Sequence, residues 1–420
     1  MATRRTNLPT MRGWGGAFAA LFVCSWSGNQ FSPLLIEYKQ AHHYSALTVN
    51  AFLGVYVLGL IPALLVSGSL SDRHGRRPLM RAATLTALAT SISLALGALG
   101  PAPVYVGRLL AGVTVGTAMA VGTSWLKELS QAPFDRRADK GSGARRASLA
   151  FTLGSAVGAL VAGSLVQWGP YPEVLPYLVH LAVTLPVLVL VGRIEETTDA
   201  PRVRPVPVQW RIPAAAHRRF RRVVLVVAPW IFGLAAISYG YAPVLLQART
   251  GGLGVAYATL LTVVSLGVAA VVQPAAKRLD SRDSARGLTV ALVVLTAALA
   301  VVALAVSVQS PALGVAGAAV SGAGIGIALS SGLLEVQRIA GPRDLAGLTG
   351  AFYAAAYAGF LLPTVMAAIS PLFSTLEQLV LLVALGLVST LVVVSNYRKH
   401  LPKGREPKVV LSLVDEAAAL

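Results

Sequence analysis

Apolar residues are grouped along the chain into twelve long runs, which are separated by short segments rich in Gly, Pro and charged residues. A helix needs about 20 mostly apolar residues to cross the hydrocarbon core of a bilayer. The runs reach about that length and lack the strict alternation of a barrel strand, so they predict helices. They lie at 13–36, 46–69, 79–99, 104–126, 147–168, 174–192, 221–246, 254–276, 288–307, 312–333, 347–370 and 376–396.

The composition agrees with a membrane protein and excludes other classes. Hydrophobic residues make up 55% of the chain and charged residues only 12%, about half the charged share of a soluble domain. A soluble enzyme and a disordered chain are therefore excluded. Cys24 is the only cysteine, and the sequence contains neither a nucleotide-binding loop nor metal-ligand spacing. We therefore expect no enzyme activity, no metal and no cofactor.

The basic residues predict the orientation. The formal net charge is +18, and all but three of the 35 Lys and Arg fall on one side when the predicted spans alternate across a bilayer. The exceptions are Lys39, Arg108 and Arg249. The positive-inside rule places the basic side in the cytoplasm, with both termini. We thus predict a multi-pass protein of the cell membrane whose basic segments face anionic lipid headgroups rather than nucleic acid.

An internal repeat divides the chain. A shift of 207 positions aligns the fourth run with the tenth, so that Thr114 meets Ser321 and Glu128 meets Glu335. Such repeats are typical of secondary transporters, although small residues also recur by chance in membrane helices. We predict an all-α fold of two pseudo-symmetric six-helix bundles, 1–192 and 221–397, joined by a basic linker at 193–220 and followed by a tail at 398–420.

The strongest local signal follows the second run, at Gly68–Pro78, which reads GSLSDRHGRRP. It resembles the G-x-L-S/A-D-R-x-G-R-R loop signature of the major facilitator superfamily, between spans two and three. The resemblance covers almost the whole chain, given the twelve runs and the long basic centre. It implies a twelve-helix transporter that works by alternating access. In the family this segment is a conformational latch that breaks when the inner gate opens.

The chemistry of this segment fits such a latch. Asp72 lies at a helix end, where it can face a helix N-terminus or an arginine. Arg73 and Arg76 would hold the segment at the cytoplasmic side. Gly68 would permit a close helix approach, and Gly75 a tight turn into span three.

Glu128 and Glu335 end two polar stripes at equivalent positions of the repeat. One interpretation is a symmetric gate, in which Glu128 pairs with one of the latch arginines and Glu335 pairs with Lys277 or Arg278. A second interpretation is proton carriage by a carboxylate whose water access alternates. A third is an exposed charge at a helix end.

Arg108 is the one arginine that lies in a predicted span away from its basic-side end. With Gly112 and Gly116 it reads R-x-x-x-G-x-x-x-G, which resembles the fourth-span motif of the family's drug antiporters, although Ala111 replaces the expected Gln. The resemblance implies export and a link to proton coupling. The family's fifth-span proline is missing near Gly154. A buried guanidinium needs a partner or a wet cavity, unless it snorkels to the membrane surface.

Polar and aromatic residues deep in the runs are candidates for a substrate cavity, because they are costly in hydrocarbon without partners or water. In the resembling family, spans one, four, seven and ten line the cavity. The candidates here are Ser25, Trp26, Asn29, Gln30, Arg108, Tyr239, Tyr353 and Tyr357. The aromatic residues suit an amphipathic or aromatic substrate. No row of carboxylates and no fixed positive pair is present, which favours a neutral or weakly charged small molecule.

We therefore predict a monomeric secondary transporter that exports a small drug or metabolite, with protons as a candidate coupling partner. Import or facilitation of a metabolite is the first alternative. A receptor or assembly factor on the same scaffold, without transport, is the second.

Overall fold

The computed structural model describes residues 13–138, 142–197, 212–340 and 345–401. The centre of the predicted linker, at 198–211, and the predicted tail beyond residue 401 lie outside these described residues. Regular structure in the described ranges is helical throughout.

Helices occupy the positions of all twelve predicted spans. The first six are α1 Gly13–Asn29, α2 Ala46–His74, α3 Arg76–Ala95, α4 Pro101–Leu129, α5 Ser142–Trp168 and α6 Leu175–Val191. The last six are α7 Phe220–Arg249, α8 Gly254–Ala276, α9 Arg286–Ser307, α10 Pro311–Ile339, α11 Gly347–Ile369 and α12 Thr375–Ser395. Among the described residues, nine helices are long and apolar enough to cross a membrane; α1, α3 and α6 are shorter or more polar.

The two ends of the bundle differ in charge. We call the end that carries the α2–α3, α4–α5, α8–α9 and α10–α11 turns the basic end, and the other the opposite end. The start of α1 is at the basic end, where Gly13 lies against Leu129 and Ile194. The segment after α12 is there too, because the Tyr397 carbonyl accepts a hydrogen bond from Arg219 beside α7.

The first predicted span is broken in the structure. A continuous run was expected over 13–36, but α1 ends at Asn29 and residues 30–33 form a turn. Pro33 then precedes a short outer helix, Leu34–Ala41. Pro33 has no N–H to donate into the helix before it, which explains why α1 does not continue.

Helix α2 ends later than predicted, at His74 instead of residue 69. The first seven residues of the latch segment are the last turns of α2, and Gly75 alone separates α2 from α3. Gly75 has φ +97°, a conformation that favours glycine. The expected close helix approach at Gly68 is wrong, because open space surrounds the place of its missing Cβ atom.

The close approach occurs elsewhere, between α2 and α4. A Cβ atom on Gly112 would lie 2.0 Å from the Tyr56 carbonyl oxygen, and one on Gly59 would lie 2.1 Å from the Leu109 carbonyl oxygen. The two backbones are therefore in direct contact, which small residues make possible in membrane helices. The glycines of the R-x-x-x-G-x-x-x-G motif serve this packing.

The same packing recurs in the last six helices. A Cβ atom on Gly322 of α10 would lie 2.2 Å from the Ser265 carbonyl oxygen of α8, and one on Gly326 would lie 2.6 Å from the Ala269 carbonyl oxygen. Helices α8 and α10 thus meet as α2 and α4 do, six spans later. The two sets of six helices face each other through α5 against α8 and α2 against α11.

Replacement of Gly112 by Ala should destabilise the protein. The added methyl group meets backbone atoms of α2, which cannot rotate away, so we expect a loss of about 2 kcal/mol in unfolding free energy. A lower melting temperature of the purified protein in detergent would show it. Gly267→Ala on α8 is the control, because nothing lies within 4 Å of its Cβ position. Equal melting temperatures for the two variants would contradict the backbone contact.

Candidate functional site

A small cavity of about 50 Å³ lies between the first six and the last six helices. It is lined from both sides, mainly by α1, α2, α4 and α5 on one and by α7 and α11 on the other. The lining residues are Ser25, Gly28, Asn29, Ser32, Leu53, Tyr56, Arg108, Val115, Phe151, Ser155, Phe232, Tyr239, Leu266, Tyr357 and Phe360.

Five of the eight predicted cavity residues are in this lining: Ser25, Asn29, Arg108, Tyr239 and Tyr357. The other three, Trp26, Gln30 and Tyr353, are not. Tyr353 lies one turn before Tyr357 and packs against apolar side chains of both sets of six helices.

Trp26 and Gln30 instead belong to a buried polar core inside the first six helices. The ring of Trp26 lies 5.7 Å from that of His180. The Gln30 amide donates to the Ser91 hydroxyl at 3.2 Å, and Ser91 is 2.7 Å from His180 Nδ1. The other ring nitrogen of His180 lies 3.0 Å from the Val23 carbonyl oxygen. His180 is therefore a satisfied packing residue.

Arg108 is buried in the cavity wall with only 3% of its surface exposed. Its Nε donates to the Phe52 carbonyl at 3.0 Å and its Nη1 donates to the Gly28 carbonyl at 3.1 Å. The guanidinium also lies over the rings of Phe31 and Tyr56, at 4.5 and 4.6 Å. No carboxylate of the described residues pairs with it. Arg108 thus points into the protein and does not snorkel.

Aromatic rings fill the side of the cavity that the last six helices form. The rings of Phe232 and Tyr357 are stacked with centroids 4.1 Å apart, and Phe360 stacks on Phe232 at 5.5 Å. Tyr56 meets this stack edge-on from α2, 6.1 Å from Phe360. Tyr239 lies in a wide turn of α7, over Ala236–Tyr241, where the helix is locally π-helical. Such turns are frequent at functional sites.

Hydroxyl and amide groups line the other side. Ser25 donates to the Phe151 carbonyl and shares a hydrogen bond with Ser155, each at 2.7 Å. Asn29 is at the last turn of α1 and only partly buried. The cavity is therefore polar towards α1 and α4 and aromatic towards α7 and α11.

The predicted gate residues of the first half meet at the basic end. Arg76 Nη1 lies 2.6 Å from Asp72, and Arg76 Nη2 lies 3.0 Å from Glu128. Glu196, after α6, accepts from the backbone N–H groups of Arg76 and Arg77 at 2.8 and 2.9 Å. A carboxylate at this place stabilises the positive end of α3. Arg73, the other latch arginine, is exposed at the end of α2.

Glu335 has a different partner from the predicted one. Arg219 binds both of its carboxylate oxygens, at 2.7 and 2.9 Å, and both side chains are buried. Arg338, one turn on, is 3.7 Å from Glu335 and also pairs with Asp280. Of the two predicted partners, Arg278 does not pair with it, and the side chain of Lys277 lies outside the part of the chain that the structure describes. The expected arginine was placed in the α8–α9 turn, whereas the observed one precedes α7.

Arg219 also holds the end of α12. Its Nη1 donates to the carbonyl oxygens of Tyr397 and Lys399, at 3.4 and 3.1 Å. One guanidinium therefore joins α7, α10 and the segment after α12.

A third charged group lies at the opposite end, between the short outer helix and the α5–α6 turn. His42 Nε2 is 2.8 and 2.9 Å from the two oxygens of Glu173. Partial burial, together with the nearby Glu173 carboxylate, raises the pKa of Glu37. The same two causes raise the pKa of Tyr44.

The residues of these sites that were not predicted include Tyr56, Phe232, Phe360 and Arg219. Phe360 follows Tyr357 by three positions, so helical periodicity places both rings on one face. Tyr56 and Phe232 carry no such local signal, because aromatic residues are common in any membrane helix. Arg219 was one of several arginines in a basic segment.

A twelve-helix membrane bundle with a central cavity lined from two sets of six helices is the architecture typical of secondary transporters. The sequence model of the Major Facilitator Superfamily matches residues 17–364 of the chain. The chain belongs to that superfamily; it is a multi-pass membrane transporter of small substrates and not an enzyme.

The similar proteins agree in fold. A multidrug efflux pump, LfrA of Mycolicibacterium smegmatis, is 31% identical over 202 residues, which cover 41% of this chain and only 36% of the pump. The solved nucleoside transporter NupG has a TM-score of 0.68 at 11% identity, with 92% and 98% of the two chains covered. A D-xylose-proton symporter has a TM-score of 0.67 at 15% identity, with 90% and 95% covered.

The two glutamates should differ in their contribution to stability. Glu335→Gln leaves the buried Arg219 charge without its partner, so we expect a loss of about 3–5 kcal/mol in unfolding free energy. Glu128→Gln should cost about 1 kcal/mol or less, because the Glu128 side chain is 35% exposed. Melting temperatures of the two purified variants in the same detergent measure the difference. A larger loss for Glu128→Gln would contradict it.

Proposed function

We propose that the chain exports a small organic molecule across the cytoplasmic membrane by alternating access, as a monomer with both termini in the cytoplasm. The observation that carries this proposal is the small cavity between the first and last six helices, which is polar on one side and aromatic on the other. In this proposal the two moving bundles are formed by residues 1–192 and 221–397, and they are linked by residues 193–220.

Contacts at the opposite end close the cavity there. Gln40 of the short outer helix donates to Gln247 at 3.2 Å. The Gln167 side chain of α5 donates to the Gly252 carbonyl at 3.1 Å and accepts from the Ala256 N–H at 3.0 Å. The Thr364 hydroxyl of α11 donates to the Asn50 carbonyl of α2 at 2.8 Å. These bonds join the first six helices to the last six.

The basic end is joined across the same interface by a weaker contact, in which Ser148 donates to Gln273 at 3.4 Å in an exposed position. The cavity volume of about 50 Å³ holds one or two water molecules and no organic molecule. A substrate therefore requires the two sets of helices to separate. We propose that separation at the basic end admits substrate from the cytoplasm.

In this cycle the two ion-pair clusters at the basic end would act as parts of the gate. The first cluster, Asp72, Arg76 and Glu128, and the second, Glu335 and Arg219, each lie within one set of six helices. The first cluster is partly exposed and can open with the basic end in each cycle, whereas the buried second cluster holds its bundle in shape while the bundles move against each other. This supports the gate interpretation over proton carriage, because both glutamates are occupied by arginines.

Two observations support export. The related LfrA is an efflux pump by name, and Arg108, Gly112 and Gly116 resemble the fourth-span motif of the family's drug antiporters. The basic end carries the great excess of positive charge in the sequence, which favours the cytoplasm. Import or facilitated diffusion is the alternative, and a measurement of the direction of transport distinguishes it from export.

Cells that express the protein should accumulate less of an exported compound than cells without it. A panel of anionic, neutral and cationic aromatic compounds is measured inside both strains over time. If a proton gradient drives export, its collapse removes the difference between the strains. Higher accumulation in the expressing strain would contradict export and support import.

Cross-links between the bundles should stop transport. In a Cys24→Ser background, Gln40→Cys with Gln247→Cys is joined by a short bifunctional thiol reagent at the opposite end. Ser148→Cys with Gln273→Cys is the matched pair at the basic end. Alternating access requires each end to open in turn, so we expect either link to abolish transport, and each unlinked or single-cysteine protein to remain active. Undiminished transport with the opposite end linked would rule out this mechanism.

A further inference from the structure

The central cavity carries one uncompensated positive charge. Arg108 is the only charged residue among the fifteen that line it, and no described carboxylate pairs with it. A guanidinium does not lose its proton in proteins. The carbonyl oxygens and rings around Arg108 orient this charge without neutralising it.

Several polar groups of the cavity can donate a hydrogen bond to a ligand. A guanidinium has five N–H groups, and the described structure gives acceptors to two of those of Arg108. The Asn29 amide and the hydroxyls of Tyr56 and Tyr239 have no protein partner among the described residues, although all three residues line the cavity. A carboxylate accepts hydrogen bonds and donates none, so it matches these donors.

The charge and the rings are on different sides. Arg108 and Asn29 are on α4 and α1, whereas Phe232, Tyr357 and Phe360 form their stack on α7 and α11. The stacked rings of Phe232 and Tyr357 are inclined by only 19°, so a flat ring can replace one member of the stack or lie against it. A molecule that spans the cavity would thus present an anionic group to one bundle and an aromatic face to the other.

We infer that the substrate class of this cavity is a flat aromatic monoanion, whose acidic group binds Arg108 and whose ring packs on the stack. This inference rests on the proposed function, because it names the substrate of the transport site. A cationic aromatic compound would meet a like charge in a cavity with little water, and a neutral one would leave the guanidinium unpaired. Binding of the anion also joins the two bundles across their interface.

Three probes of one shape test the inference on the full-length protein in lipid nanodiscs. They are 2-naphthoate, 2-naphthamide and 2-naphthylmethylammonium, and binding is read as the concentration dependence of the melting temperature. We expect 2-naphthoate to bind at least ten-fold more tightly than the amide, with the ammonium weakest. Equal affinities, tighter binding of the ammonium, or no shift with 2-naphthoate at millimolar concentration would each overturn the inference.

Arg108→Gln should reduce the preference for naphthoate over naphthamide to about one. Arg286→Gln is the matched control, because Arg286 is exposed at the basic end and its guanidinium also bonds backbone carbonyls only, those of Arg278, Leu279 and Asp280. It should keep the full preference. A preference that survives in folded Arg108→Gln protein overturns the inference, and the comparison of the three probes on the unaltered protein stands if that variant does not fold.

The experiments distinguish a failure of this inference from a failure of the proposed function. Transport of neutral or cationic compounds, with no binding of 2-naphthoate, leaves the proposed transport and overturns the anionic substrate. Selective binding of 2-naphthoate without net movement in either direction keeps the substrate class and contradicts the proposed transport.

Discussion

A permanently charged guanidinium buried at membrane depth is the constraint on which the centre of this protein depends. Arg108 is about two turns into α4, and its position requires acceptors from two other helices. The last four carbonyls of a helix have no partner within it. Because α1 ends at Asn29, the Gly28 carbonyl is free to accept from Arg108. The break in α1, the turn before Pro33 and the position of the arginine are therefore parts of one arrangement.

The strength of the contacts differs within and between the two sets of six helices. Within a set, glycines bring backbones into contact, as at Gly112 and Gly322, and ion pairs hold the basic end. Between the sets, the described polar contacts are single hydrogen bonds of side chains, such as Gln40 with Gln247. Tight packing resists deformation, whereas single side-chain hydrogen bonds are each worth about 1 kcal/mol. This contrast favours movement of two rigid bodies over bending inside either one.

The sequence predicted the helices well and the cavity in part. Runs of about 20 apolar residues leave few alternatives in a bilayer, so all twelve positions are helical. The break after Asn29 and the extension of α2 to His74 depend on local turn geometry, which hydropathy does not encode. Arg108 was predicted because charge is rare in a span. Phe232 and Tyr56 were missed because their role depends on which helices face each other. Trp26 lies outside the cavity lining for the same reason, since its face of α1 meets α5 and α6.

The two equivalent glutamates show how a repeated sequence acquires unequal parts. Glu128 and Glu335 lie 207 positions apart at the same end of the bundle, yet their side chains are 35% and 5% exposed. Glu128 shares Arg76 with Asp72 at the protein surface, where such a pair forms and breaks at little cost. Glu335 and Arg219 are out of water, and separation of that pair would leave two buried charges. In the proposed transport cycle, the first cluster is therefore suited to a latch that opens in each cycle, and the second to a joint that keeps α7, α10 and the end of α12 together throughout it.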